Sequence, residues 1–200
     1  MPRPSEFVRE DVMESAMILF WEKGYQATSM SDLSRAMDLR PGSIYGAFGS
    51  KHELLMELIE FYVEKVAEKV QATFAEAPSE REGFRRMFHS MIGDMVCDEK
   101  PRGCLLINLL IELSTIDENA AARLRSHLDQ KRKFFEAILA VARQKGTLKN
   151  QSSDHDLALF LMGTVYSIRV MGKARAPRCE LEIFCDQALE HVFGPENPVE

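Results

Sequence analysis

No stretch of this 200-residue chain approaches the roughly 18 to 20 consecutive apolar residues that a bilayer-crossing helix requires; Cys104 to Ile107 is typical of its short apolar runs. Met1 to Glu14 has no apolar core, so a secretory signal is not expected. Cysteine is sparse. Four of them, without a signal, point to free thiols in a reducing cytoplasm rather than to a disulfide framework. Catalytic spacings are also missing: His52, His89, His127, His155 and His191 form no His-x-x-x-His, there is no Gly-x-Ser-x-Gly elbow, and Gly46 to Lys51 lacks the spacing of a phosphate loop. No segment alternates in the manner of a strand, and no cofactor or metal site is expected. Excess positive charge is absent as well, since 25 Lys plus Arg stand against 31 Asp plus Glu, a net charge of −6. Non-specific attraction to a polyanion is therefore weak, and any nucleic-acid binding must come from local placement of charge.

What the chain does have is helical punctuation. Residues 9 to 23 put Val12, Ala16, Leu19 and Phe20 on one face and stop at Gly24, a good residue for a helix exit. Ser29 and Asp32 are spaced as a capping box for a short helix carrying Met30, Leu33, Ala36 and Met37. Asp38 tolerates the left-handed backbone that a sharp exit needs, and Leu39 can plug the corner. Pro41 suits a first helical position, because its missing N–H removes a donor that has no intrahelical partner there. Ile44 and Phe48 then face inward, leaving Gly42, Ser43, Tyr45, Gly46 and Ala47 outward. Ser50 and Glu53 predict a second box, opening a long amphipathic helix to about Ala75. Two short helices around a tight corner are the layout of a helix-turn-helix, and the small outward face suits a major groove about 12 Å wide.

The run Phe20-Trp21-Glu22-Lys23-Gly24-Tyr25, followed by Thr28-Ser29-Met30, Gly42-Ser43-Ile44-Tyr45, Phe48 and Ser50-Lys51, resembles the DNA-binding region of TetR-family transcriptional repressors. The match covers about the first quarter of the chain. It implies that Thr28 and Ser29 bond phosphates, that Pro41, Gly42, Ser43 and Tyr45 lie along the groove, and that Lys51 clamps the backbone of double-stranded DNA. Two positions depart from the family pattern: Arg40 stands where many members have Ser or Thr, and Ala47 where many have His. Arg40 is thereby a candidate to read a guanine or a phosphate, and the histidine contact is lost. Residues 1 to 52 carry six bases (Arg3, Arg9, Lys23, Arg35, Arg40, Lys51) and seven acids (Glu6, Glu10, Asp11, Glu14, Glu22, Asp32, Asp38), and only Arg3 is available as a minor-groove arm.

These features predict an all-α chain with a helix-turn-helix domain over residues 1–52 and a larger helical effector-binding and dimerisation domain over residues 53–200. Further helices are expected over 82–96, 104–113, about 118–145, 154 to about 174, and 180–193. The last two are apolar on more than one face, which predicts a homodimer through them and a palindromic operator. Family resemblance implies the same dimer.

For the effector, a small apolar or aromatic molecule of unknown identity, the candidate contacts are Tyr62, Met87, Phe88, Met91, Cys104, Asn108 and Tyr166. Gly103-Cys104-Leu105-Leu106-Ile107-Asn108 also resembles a signature found in part of the family. An alternative has Cys104 sensing a soft metal or a thiol-reactive species. More remote alternatives are a helical adaptor that binds protein only and a Cys-dependent enzyme.

Overall fold

The computed structural model describes residues 8–100 and 102–195, so the candidate arm at Arg3 and the break at Pro101 lie outside the described residues. Those described form nine helices and no strand: α1 (Arg9–Lys23), α2 (Met30–Ala36), α3 (Pro41–Phe48), α4 (Lys51–Ala75), α5 (Glu80–Val96), α6 (Leu105–Leu113), α7 (Glu118–Gln144), α8 (Asp154–Lys173) and α9 (Arg178–Phe193). None of these helices is long and apolar enough to cross a membrane. Local chemistry sets several ends. Ser29 and Asp32 form the full reciprocal box, whereas at α4 only half of the predicted box is made. There the Glu53 N–H donates to Ser50 Oγ at 3.0 Å, but the Ser50 N–H turns back to the Phe48 carbonyl. Two helices start earlier than their apolar pattern suggests, α5 because Ser79 caps it and α9 because Pro177 sets its entry.

The chain divides into two compact units. One runs to Val66 and takes back Leu105–Leu124; the other comprises Ala67–Cys104 and the chain from Arg125 on. In the first unit Ala16, Phe20, Leu33, Ile44, Leu54 and Leu58 are fully buried, and Leu105, Leu109 and Leu113 add the inner face of α6. Each of these phenylalanine, leucine and isoleucine side chains contributes on the order of 1.5–3 kcal/mol by leaving water. Arg9 forks onto Glu57 at 2.6 and 2.7 Å, tying α1 to α4. In the second unit α5, α8 and α9 pack around an aromatic centre in which Phe84 meets Phe74 and Phe135 edge-on, each at 5.0 Å between ring centroids.

Cys97 and Cys179 are exposed, whereas Cys185 has no exposed surface and burial pushes its thiol up to about 12. Maleimide added to the folded protein is expected to label Cys97 and Cys179 and to leave Cys185 unmodified until denaturant is present, as read by peptide mass mapping. Labelling of Cys185 at the pace of Cys97 contradicts this packing.

Candidate nucleic-acid interface

The corner between α2 and α3 is built as its residues dictate. Asp38 adopts φ 50°, Leu39 is buried beneath the turn, and Ser34 Oγ donates to the Leu39 carbonyl at 2.5 Å. Extended backbone at Arg40 then delivers Pro41 to the first position of α3. Ile44 and Phe48 are 1% and 5% exposed and anchor one face of this helix. On the other face Tyr45 is half exposed, Pro41, Gly42 and Gly46 are exposed, and Ser43 is half-buried. A Cβ added at Gly42 or Gly46 meets nothing within 4 Å. The outward face is thus a smooth strip whose backbone an incoming surface can approach closely.

Charge is arranged around that strip by internal pairing. Asp32 receives Lys23 at 2.5 Å and the Ser29 hydroxyl at 2.7 Å, and these contacts, the Lys23 bond first, hold its carboxyl well below the usual carboxylate range. Glu57 is taken by Arg9, and Glu14 by Lys65. Arg40 is exposed at the start of α3 and, among the described residues, enters no ion pair. Asp32 is therefore compensated within the fold, while at the corner itself Asp38 and Arg40 are both exposed and, among the described residues, enter no ion pair.

Of the sequence-derived contacts, Ser29, Arg40, Pro41, Gly42 and Tyr45 are exposed together around α2 and α3. Thr28 lies elsewhere. It is 1% exposed and its hydroxyl donates to the Gly24 carbonyl at 2.6 Å, closing the turn that precedes α2. Lys51 is half-buried with its ammonium 4.2 Å from the centre of the Tyr25 ring; burial pushes its pKa down, and Glu112 opposes that shift.

Glu112 is a residue that local sequence reasoning misses. Its carboxylate on α6 accepts the backbone N–H groups of Tyr25 at 2.9 Å and Gln26 at 2.6 Å, across 87 and 86 residues of chain. Gly24 makes room for it: φ is 84°, and a Cβ there would stand 2.9 Å from Glu112 Oε2. Asp117 adds a bond to His52 at 2.9 Å, and Arg123 one to Glu60 at 2.5 Å. No pattern within a few residues of Glu112 signals this role.

The candidate effector contacts fall in two places. Tyr62 belongs to the first unit, edge-on to Trp21 at 5.4 Å, and Asn108 is half-buried on α6. Met87, Phe88 and Met91 lie in the packed core of the second unit, each at most 7% exposed. Cys104 and Tyr166 are half-buried in that unit and close enough to interact electrostatically; burial first, and Cys104 second, push the Tyr166 hydroxyl up to about 12. Among the described residues no three His, Cys, Asp or Glu side chains converge on a point that suits a metal ion.

Residues 12–58 match the family described as bacterial regulatory proteins, tetR family, and residues 81–184 match the tetracyclin repressor-like C-terminal domain. Relatives include the HTH-type transcriptional repressor ComR of Escherichia coli, 26% identical over 87% of this chain and 83% of its own. YezE of Bacillus subtilis, an uncharacterized HTH-type transcriptional regulator, is also 26% identical, over 94% of this chain and 98% of its own. Among solved structures, a cysteine mutant of the TetR family transcriptional regulator CifR, complexed with 26-bp double-strand operator DNA, superposes with TM-score 0.84. It is 30% identical and covers 96% of this chain and 100% of that one.

Proposed function

Because the chain belongs to the TetR family of bacterial transcriptional regulators, we propose that it is a homodimeric repressor that holds a palindromic operator and is released by a small effector bound in its larger helical region. In this reading residues 1–52 read DNA, and residues 53–200 supply effector binding and dimerisation. The observation that carries it is the solvent face of α3, smooth at Gly42 and Gly46 and bearing a free guanidinium at Arg40. Arg40 reads a base edge or a phosphate; Ser29, Pro41, Gly42, Ser43, Tyr45 and Lys51 position the helix on the duplex. Thr28 acts from inside by holding the turn that presents Ser29. The CifR relative on its operator and the repressor ComR support the same activity.

Dimerisation is assigned to α8 and α9. Phe160, Gly163, Ser167 and Val170 recur at helical spacing on α8, and Val170 and Ile183 are 64% and 62% exposed. Apolar side chains standing in water along two adjacent helices favour a second copy, and a twofold pair presents its two α3 helices to successive major grooves about 34–36 Å apart or a multiple of that. An effector that binds more tightly to a pair with the wrong spacing lowers operator affinity by population shift; a hundredfold loss requires about 2.7 kcal/mol of coupling. Two elements are placed to carry that signal: α4, which is continuous from one unit into the other, and α6, whose Glu112 holds the Tyr25–Gln26 turn.

A mobility-shift assay with the DNA upstream of its own gene tests the reading. Tyr45→Ala and Lys51→Ala are expected to weaken binding to every duplex alike, whereas Arg40→Ala costs about 1–3 kcal/mol per half-site and also relaxes the sequence preference at one base pair. Purified protein that ignores duplex DNA at low ionic strength overturns the reading.

A further inference from the structure

The segment Leu105–Leu124 returns to the first unit, where Leu105, Leu109, Leu113 and Leu124 are at most 1% exposed and fix its apolar face in the core. Its polar contacts with the rest of that unit then fall at set positions. Glu112 on α6 accepts the Tyr25 and Gln26 N–H groups at 2.9 and 2.6 Å. Asp117, in the loop between α6 and α7, meets His52 Nε2 at 2.9 Å, while its other oxygen caps α7 through the Ala120 N–H at 3.0 Å. Arg123 on α7 reaches Glu60, well along α4, at 2.5 Å. The first two contacts bracket the helix-turn-helix. Tyr25 and Gln26 lie in the turn that leads into α2, and His52 lies in the first turn of α4, just after α3 ends. Tyr25 also ties the two ends together, since the ammonium of Lys51, the residue before His52, stands 4.2 Å from the centre of its ring. Burial first, then Asp117 and Glu112, push the pKa of the Tyr25 hydroxyl up.

A carboxylate bonded to two backbone N–H groups fixes direction as well as distance, whereas an ion pair open to water, such as that of the half-exposed Arg123, fixes little. Attraction between a duplex and the head needs only charge. Reading base edges needs α3 at one angle in the groove. Resting on the repressor reading above, we propose that Glu112 and Asp117 are positioning residues for operator recognition: by holding both ends of the segment that contains α2 and α3, they set the angle of the reading helix. They thereby govern the preference for one sequence over another rather than the attraction to DNA as such. Neither carboxylate touches the duplex; each acts through the backbone or side chain that it holds.

The test uses the full chain and two duplexes of equal length: the one that the parent selects from a random-sequence pool, and a scrambled version of it. Affinity for each is measured over a salt series, with thermal unfolding in parallel. Glu112→Gln keeps the length, but its amide turns a donor toward one of the two N–H groups. It is expected to lose about tenfold or more on the selected duplex and to stay within about twofold of the parent on the scrambled one. His52→Ala tests the other end independently and spares the Asp117 cap on α7. It is expected to lower the ratio of the two affinities by about threefold or more with an unchanged salt slope. Arg123→Met is expected to keep the parent's ratio. A contact that serves stability alone behaves differently, because partial unfolding lowers both affinities by one factor, which cancels in the ratio. A phosphate contact at His52 lowers both and flattens the salt dependence. An unchanged ratio in Glu112→Gln and His52→Ala, or an equal fall in Arg123→Met, overturns the proposal and leaves the repressor reading standing. A parent that selects no sequence overturns both.

Discussion

Glutamate at both Val170 and Ile183 is expected to leave a folded monomer whose operator affinity is lower by on the order of 10³-fold, because the two half-sites no longer share one ligand. Both side chains are already nearly two-thirds exposed in the single chain. A carboxylate there meets water, so the monomer's own stability should change little. In a symmetric pair the same two positions occur twice, and four carboxylates would have to leave water together. Each apolar side chain lost also removes roughly 1.5–3 kcal/mol of burial. Sedimentation equilibrium at micromolar concentration, beside thermal unfolding and a mobility shift at one fixed salt concentration, separates the two consequences. A variant that still sediments as a dimer places the interface on another face.

Alanine at Gly46 should move stability and DNA binding in opposite directions. Gly46 lies inside α3 with open space around the position of a Cβ, so alanine meets no steric penalty in the fold. Replacing glycine in an exposed helix interior gains roughly 1 kcal/mol from reduced backbone entropy, seen as a higher melting temperature. On the duplex the same methyl lies where α3 approaches the groove and holds it away. A loss of about tenfold per half-site, about a hundredfold for the pair, corresponds to the 1–3 kcal/mol that one good groove contact supplies. Calorimetric melting and operator titration on the same preparation read both signs. Higher stability with unchanged operator affinity would show that this strip of α3 does not meet DNA.

The two predictions draw on different kinds of information. That α3 starts at Pro41, buries Ile44 and Phe48, and turns Gly42, Tyr45 and Gly46 outward is visible in the sequence, because caps, proline geometry and a 3.6-residue period act within a few residues. The left-handed Asp38 and the Ser29–Asp32 box are legible for the same reason. Periodicity names a helix face but not its neighbour. Thus Met87, Phe88 and Met91, spaced equally well for a cavity wall or for core filling, lie in the aromatic core of the second unit.

Sequence by itself determined the all-helical class, the long helices to within a few residues at their ends, the exposed strip of α3 and the chemistry of its corner. Only tertiary structure decided that Thr28 turns inward and that α6 returns to the first unit with Glu112 on the Tyr25–Gln26 backbone. The physical reason is range. Capping and helical propensity act over about four residues, whereas a carboxylate 86 residues away finds its amide only through the path the whole chain takes in closing its two cores.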